Sequence, residues 1–409
     1  MASVIFKDNI SMGMTDKTVF EIPPKVVAIC KLTLSNFRSY EVANIETGGM
    51  SVVITGPNGA GKTNILEALS FLGPGRGLKN AKLWEISRQV RHQEQNKKTL
   101  PWAINAKLKT PGGILEIGTG LSAKDIAEGR ERRTVRIGGS EQSNQTALSK
   151  QIAIVWLTPN MNGLLAAGMT QRRQFIDRLI SASDPAHTGR VREYEKAMRE
   201  RLYLLTKQHS STDIDWLSIL EQRMAEKGCA IAVARLDLVD SLSSKCMQGH
   251  DPFPGISIEM IGQIENWVSQ SSALQVEDRI KEALESSRTN DAYTKKTKIG
   301  PHRSKLQVTY VEKNQLAEFC STGEQKAMLI SLVLSHCQLQ LAECGKPVLL
   351  LLDEIAAHLD KKKRSALFKI LDQSGCQAWL TGTDPFLFKE IKGQARFFQV
   401  GDGKIMEAS

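Results

Sequence analysis

Two short runs at opposite ends of the chain restrict its fold more than any other feature. GPNGAGKT occupies Gly56 to Thr63, VLLLLDE ends at Asp353 and Glu354, and 291 residues separate Lys62 from Asp353. The first run matches GxxxxGK[ST] in full: its glycines let backbone N–H groups wrap a phosphate, and a following helix turns its N-terminus toward the anion. The second is a continuous apolar run closing on an acid, the pattern of a strand buried in a parallel sheet with a carboxylate at its tip. Both motifs serve one phosphate site, so the intervening chain must be inserted into that fold or carried out from it.

Periodicity shows how the intervening chain is organised. Val26 to Phe37 and Ser51 to Thr55 are β-rich, and Thr63 to Phe71 reads as a helix with Ile65, Leu66, Leu69 and Leu72 on one face. This order is strand, glycine loop, helix. From Ala103 to Ile137 short β-like runs alternate with PGG and GG turns, which predicts a meander packed on the nucleotide core. Between Thr170 and Ser287 the pattern is helical, with breaks at Ser183 to Gly189 and Gly249 to Gly255. The expected division is a loose lead-in over 1–25, the first part of an α/β P-loop head over 26–169, an α-helical lobe over 170–295, and the rest of the head over 296–409.

Composition narrows the setting. In 409 residues, 54 Lys and Arg oppose 44 Asp and Glu, giving a net charge of +10, which admits a polyanionic partner. Seven scattered cysteines form no CxxC pair, so reduced thiols of a cytoplasmic protein fit better than a disulfide frame or a zinc ribbon. The first residues lack the charged and apolar regions of a secretory signal, and no apolar run reaches membrane length. A soluble protein without a membrane partner is expected.

The motifs assign roles to particular side chains. Lys62 is expected to reach the β- and γ-phosphates of ATP. Gly56, Asn58, Gly59, Ala60, Gly61 and Asn64 complete the cradle. Thr63 and Asp353 are placed to hold Mg²⁺, through a hydroxyl and a carboxylate respectively. Glu354 follows Asp353 directly and could orient or deprotonate an attacking water, which favours hydrolysis over phosphotransfer. The chain has no NKxD motif, which weakens a GTPase reading. The run STGEQ from Ser321 to Gln325 opens an apolar helix; taken alone it is an ordinary N-cap with an acid in the first turn, and it is equally a second anion site.

Several motifs together carry a family resemblance: LTLSNFRSYE from Leu32, the GPNGAGKTNILEAL run, QRRQFIDRL from Gln171, GPHRSKL from Gly300, CSTGEQKAMLISLVL, LLLDEIAAHLD and AWLTGTD from Ala378. The chain resembles ABC-type ATPase heads of the SMC kind and, more narrowly, the RecF family. The resemblance implies an ATP-dependent homodimer in which each P-loop is completed by the signature segment of the other copy. Ser321 and Gly323 then contact the γ-phosphate, Asp360 lines the interface as the D-loop acid, and Arg38 lies near the nucleotide. Arg38 reads equally as a strand-end arginine. Where related ABC heads carry a switch histidine, TGTD offers Thr383 or Asp384. Asn160 in LTPN is the one side-chain amide at the expected sensor position. His302 and Arg303 read as either structural or phosphate-binding. The resemblance further implies gapped or duplex DNA as ligand, recombination mediator proteins RecR and RecO as partners, and a role in DNA repair and replication. An ABC subunit driving a transport partner, or a protein-interaction scaffold, is the alternative.

Three basic stretches are candidates for DNA: Arg130 with Arg132, Arg133 and Arg136; Arg172 to Arg201; and Arg288 to Lys305, with Lys295, Lys296, Lys298 and Arg303. The first two are interleaved with acids and read equally as salt-bridged surface. The third holds only Asp291 and is favoured. No helix-turn-helix, finger or RNP signature is present, so shape-directed, salt-dependent binding is expected.

Overall fold

A computed structural model describes residues 27–88, 99–206, 213–344, 348–401 and 403–408; the N-terminal segment 1–25 expected as a loose lead-in lies outside them. The two motif regions, from distant parts of the sequence, do meet. A six-stranded sheet has the order Lys404–Ala408, Ala395–Gly401, Ser51–Thr55, Gln377–Gly382, Val348–Leu352 and Ala153–Leu157. Apart from the antiparallel edge strand Lys404–Ala408, its neighbours are parallel. The strand before the P-loop therefore lies beside Gln377–Gly382, and Val348–Leu352 lies one place further. Register aligns Leu352 with Leu157 on one side and Leu380 on the other, so Asp353 emerges at the same sheet edge as Thr381.

Val348–Leu352 is buried along its whole length because both faces of the sheet are covered. Leu349 and Leu351 pack with Val52, Ile54, Ile65, Leu66 and Leu69 under the antiparallel sheet. Leu350 and Leu352 point to the opposite face, toward Met328, Ile330, Phe175 and Leu179. Alternation of side chains along a strand makes this partition, and it explains the uninterrupted leucines. The meander expected from Ala103 to Ile137 is part of a larger antiparallel sheet in the order Tyr40–Glu46, Ala28–Phe37, Trp102–Thr110, Gly113–Leu121, Thr134–Ile137, Ser140–Gln142, which also takes in the two strands before Ser51–Thr55. Phe37, Phe71 and Trp102 meet edge to face beneath it at 5.7–6.3 Å and lock it to the P-loop helix Lys62–Ser70.

The lobe is built around one 35-residue helix, Ile214–Gln248, against which His187–Thr206 and Ala273–Ser286 pack through a core of their own. It departs from the purely helical expectation at one place. Ile256–Ile261 is a strand, paired antiparallel with Lys305–Tyr310. ISIEMI alternates buried and exposed residues, and Pro252 and Pro254 just before it prevent helix continuation. Helix Met169–Ser183 also departs from the expected boundary: Phe175, Ile176 and Leu179 belong to the head core, and the lobe proper begins near His187.

Buried ion pairs attach the lobe to itself and to the head. Arg201 is fully buried and donates to Glu221 and Asp291 at 2.8 Å and to the Leu284 carbonyl at 2.6 Å. Arg235 joins the long helix to Asp177 of the head at 2.8 Å and to the Pro301 carbonyl at 2.7 Å. Removing one member of such a network strands the remaining charges away from water. Arg201→Met is expected to destabilise the protein by about 3–5 kcal/mol in chemical unfolding monitored by circular dichroism, whereas Arg130→Met, at an exposed pair with Glu128, is expected to change stability by less than about 1 kcal/mol.

Candidate functional site

The P-loop is shaped by close approaches that only glycine permits. Gly56 has φ 152° and Gly61 φ 109°. A Cβ on Gly56 would lie 2.3 Å from the Val400 carbonyl oxygen, and one on Gly61 would lie 2.7 Å from Ser39 Oγ and 2.8 Å from Tyr40 Oη. Asn58 and Gly59 form the exposed rim and Ala60 is half-buried. Lys62 is buried, and its ammonium donates to the carbonyls of Gly56 and Pro57 at 2.9 Å each, with Glu354 Oε1 at 3.8 Å. Its charge is therefore held inside the loop, where the N–H groups of the helix start also converge.

Thr63 and Asp353, 290 residues apart in sequence, are in direct contact: Thr63 Oγ1 lies 3.0 Å from each carboxylate oxygen of Asp353. Hydroxyl and carboxylate are hard oxygen donors, and one or two such ligands beside a phosphate chain suit Mg²⁺. The donor set fits that ion. Among the described residues no cluster of three or more His, Cys, Asp or Glu side chains offers an alternative all-protein metal site.

Thr381 is the site residue that sequence reasoning missed. Its hydroxyl donates to Asp353 Oδ1 at 2.7 Å and accepts from the Glu354 backbone N–H at 3.0 Å. It therefore ties the Asp353 carboxylate to the Glu354 backbone. Glu354 adopts φ 51°, a left-handed conformation unusual for a non-glycine residue, and this hydrogen bond helps hold it. Thr383, chosen from the same TGTD run, is exposed beyond the strand end. The strand register could have separated the two, because the residue opposite Asp353 is Thr381.

NFRSY forms a clasp on the P-loop. Tyr40 Oη donates to the Gly61 carbonyl at 3.1 Å, Asn64 Nδ2 donates to Ser39 Oγ at 3.1 Å, and burial pushes the Tyr40 phenol up. Arg38, with φ 54°, grips the buried Glu67 of the P-loop helix by two hydrogen bonds of 2.9 and 2.6 Å and donates to the Glu85 carbonyl at 2.7 Å. It is thus a partnered arginine rather than a solvated strand-end residue.

These motifs, in one sheet and in this order, match a known family. The sequence corresponds to the RecF/RecN/SMC N terminal domain over residues 28–405. The chain belongs to that family. Its relatives include the DNA replication and repair protein RecF of Mesorhizobium japonicum, 44% identical over 93% of this chain and 98% of that protein. RecF of Brucella suis biovar 1 is 41% identical, covering 96% and 99%. A solved structure of the recombination mediator protein RecF-ATPrS in the RecFOR pathway superposes with TM-score 0.79 at 20% identity, covering 94% of this chain and 98% of that one. An Smc head with an extended coiled coil from Pyrococcus furiosus superposes at 0.52 with 16% identity. The α/β ABC-type head expected from the motifs is therefore the fold, and the chain stands among the RecF members of the family.

The signature segment caps its own helix, Thr322–Cys344. Ser321 and Glu324 form a reciprocal capping box, with Ser321 N–H donating to Glu324 Oε2 at 2.8 Å, and Lys313 pairs with the same acid. Ser321 and Gly323 are exposed, and a Cβ on Gly323 would meet nothing within 4 Å. Among the described residues no hydrogen bond or ion pair joins this segment to residues 56–64. Asp360 is exposed and caps helix Lys361–Gln373 by accepting from the Lys363 N–H at 2.8 Å. Asn160 is exposed beyond the strand that flanks Asp353.

The remaining candidates divide by burial. His302 is held by Tyr194 Oη at 2.7 Å on Nδ1 and the Thr297 carbonyl at 2.9 Å on Nε2, a structural setting in which burial pushes its pKa down. Arg133 is buried and donates to the carbonyls of Gly73 and Gly75, while Arg172, Arg173 and Arg201 are buried too, so these four leave the list of DNA contacts. They are needed inside because each satisfies carbonyls or acids away from water. In the third stretch Arg288 is committed to Glu221, whereas Lys295, Lys296, Lys298 and Arg303 are exposed.

Two outcomes follow from this geometry. Thr381→Val leaves Asp353 and the Glu354 N–H each short of a partner, so it is expected to raise the Mg²⁺ concentration for half-maximal ATP binding about 10-fold or more, read by nucleotide fluorescence titration. Lys326, buried beside the Ile355 carbonyl at 3.4 Å, is pushed down by burial to about 8. Its ordinary value is about 10.4, so above pH 8 the unfolded chain binds more protons and wild-type stability gains relative to Lys326→Met as pH rises. Chemical unfolding at pH 7 and pH 10 is expected to show the advantage of Lys326→Met shrinking at the higher pH.

Proposed function

We propose that the chain is an ATP-dependent DNA-binding protein of recombinational repair and replication-gap processing. ATP and Mg²⁺ occupy the cradle of one copy, the Ser321–Gly323 segment of a second copy closes it, and the dimer clamps duplex DNA near single-strand gaps. Hydrolysis assisted by Glu354 releases it and so times recombinase loading. The observation that carries this reading is a half-site: Lys62, Thr63, Asp353 and Glu354 are assembled, while among the described residues the exposed helix start at Ser321 makes no hydrogen bond or ion pair with residues 56–64 of its own chain. An exposed capping segment and an exposed P-loop rim on one molecule are complementary surfaces for a two-fold dimer.

The chemistry is assigned to this chain's own groups. Lys62 neutralises and positions the phosphates, Thr63 and Asp353 would hold the metal that offsets their charge, and Glu354 at 3.8 Å from the lysine is placed to orient water. Thr381 keeps both acids in position. RecF relatives are named for DNA replication and repair, which supports DNA as the ligand, and the exposed cations at Lys295, Lys296, Lys298 and Arg303 supply a sequence-independent backbone contact. RecR and RecO belong to this proposal as partners, and the cytosol as its location; no described helix is long and apolar enough to cross a membrane.

Light scattering with ATP is the direct test. Glu354→Gln is expected to accumulate an ATP-bound dimer with turnover reduced at least about 100-fold, while Ser321→Arg binds ATP as a monomer. Normal hydrolysis by Glu354→Gln without dimer accumulation would remove the assigned role. Replacing Lys295, Lys296 and Lys298 together by Gln is expected to weaken DNA binding and to flatten its dependence on salt by about 3 in the log–log slope.

A further inference from the structure

A cleft away from the P-loop is lined by arginines whose charge is not answered by acids. It has a volume of about 410 Å³ and lies between the glycine loop Gly73–Gly77 and helices Met169–Ser183 and His187–Thr206; no residue of 56–64 lines it. Arg178 stands in its wall with its guanidinium 4.3 Å over the Trp156 ring. Its only hydrogen bonds among the described residues are long ones, to the Trp156 carbonyl at 3.4 Å and Met161 Sδ at 3.6 Å, and its buried Nε has no partner. Ser149, 1% exposed, lines the same cleft with its hydroxyl unpartnered.

Arg76 and Arg192 stand exposed along the cleft, and neither forms an ion pair among the described residues. The one acid in the wall, Asp177, is already committed: Arg235 takes both of its oxygens at 2.8 Å and His187 takes Oδ1 at 2.9 Å. The local charge is therefore positive. Arg133 holds the Gly73 and Gly75 carbonyls at 2.9 and 3.2 Å, which turns those acceptors away and fixes the loop beside the cleft. A half-buried arginine stacked on an aromatic face, with an N–H unused, and an unused buried hydroxyl lining the same cleft are both donors suited to a tetrahedral anion.

We propose that this cleft is a phosphate-binding site separate from the P-loop, with Arg178 and Ser149 at its floor and Arg76 and Arg192 at its mouth. Burial pushes the Arg178 guanidinium down to about 9, and an anion in the cleft relieves that strain on its charge. The phosphate can come from a nucleic-acid backbone or from a free phosphorylated molecule, and the two sources are separable. The nucleic-acid source rests on the DNA-binding reading above; the other does not.

Calorimetry with inorganic pyrophosphate is made on Lys62→Ala protein, where the P-loop is disabled, and duplex DNA binding is measured with ATP on protein that retains Lys62. In each, Arg178→Met and the double exchange Arg76→Gln with Arg192→Gln are compared with their parent; the double exchange touches only exposed side chains and leaves folding unaffected. A loss of about tenfold or more in pyrophosphate affinity supports the site with a free ligand. The same loss for DNA alone supports it with the backbone as source. Unchanged affinity for both probes in both variants, or no binding of either probe by the parents, overturns it. Unchanged affinity for both probes alongside normal ATP-dependent dimerisation removes the cleft and leaves the ATP-gated clamp standing, whereas absent ATP-dependent dimerisation with the pyrophosphate effect of the variants retained does the reverse.

Discussion

The contact between Thr63 and Asp353 is the constraint on which the rest of the molecule depends. It joins a hydroxyl at the start of the P-loop helix to a carboxylate at the tip of a strand 290 residues later. Such a contact cannot be made by local structure. It requires the parallel order Ser51–Thr55, Gln377–Gly382, Val348–Leu352, in which both motifs leave the sheet at one edge. Thr381, on the strand between them, then ties the Asp353 carboxylate to the backbone of Glu354. This edge is therefore a property of strand register, and a one-residue slip between these strands would separate Thr381 from Asp353.

Closing so long a loop has an entropic cost that grows only slowly with length, so the insertion is tolerated if it folds as a unit. The lobe does so. It has its own apolar core around Ile214–Gln248 and its own buried charges, with Arg201 satisfied by Glu221, Asp291 and the Leu284 carbonyl. Arg235 and Asp177 then fix it to the head. Arginine is used inside this protein in preference to lysine because its planar fork can satisfy several acceptors at once.

That use of arginine limits what a charge pattern can reveal. Arg133, Arg172, Arg173 and Arg201 look in sequence like members of basic stripes, yet they are buried and bind carbonyls or acids of distant segments. Lys295, Lys296 and Lys298 look no different and are exposed. Net charge of +10 counts the whole chain, and only packing decides which of its cations reach the surface.

The motifs alone determined the class of fold, the phosphate cradle and the pairing of Thr63 with Asp353, because GxxxxGK[ST] and an apolar strand ending in an acid each encode their geometry locally. The meander and the helical lobe were legible from periodicity for the same reason. What only the tertiary structure decided was which side chains finish the site. Thr381 rather than Thr383 faces the acids, since strand pairing and not motif position sets it opposite Asp353. Arg38 meets Glu67 instead of open space, and the cleft around Arg178 exists because a glycine loop and two helices converge there. Long-range contacts of this kind leave no local signature: each partner is an ordinary residue until the fold brings the other to it.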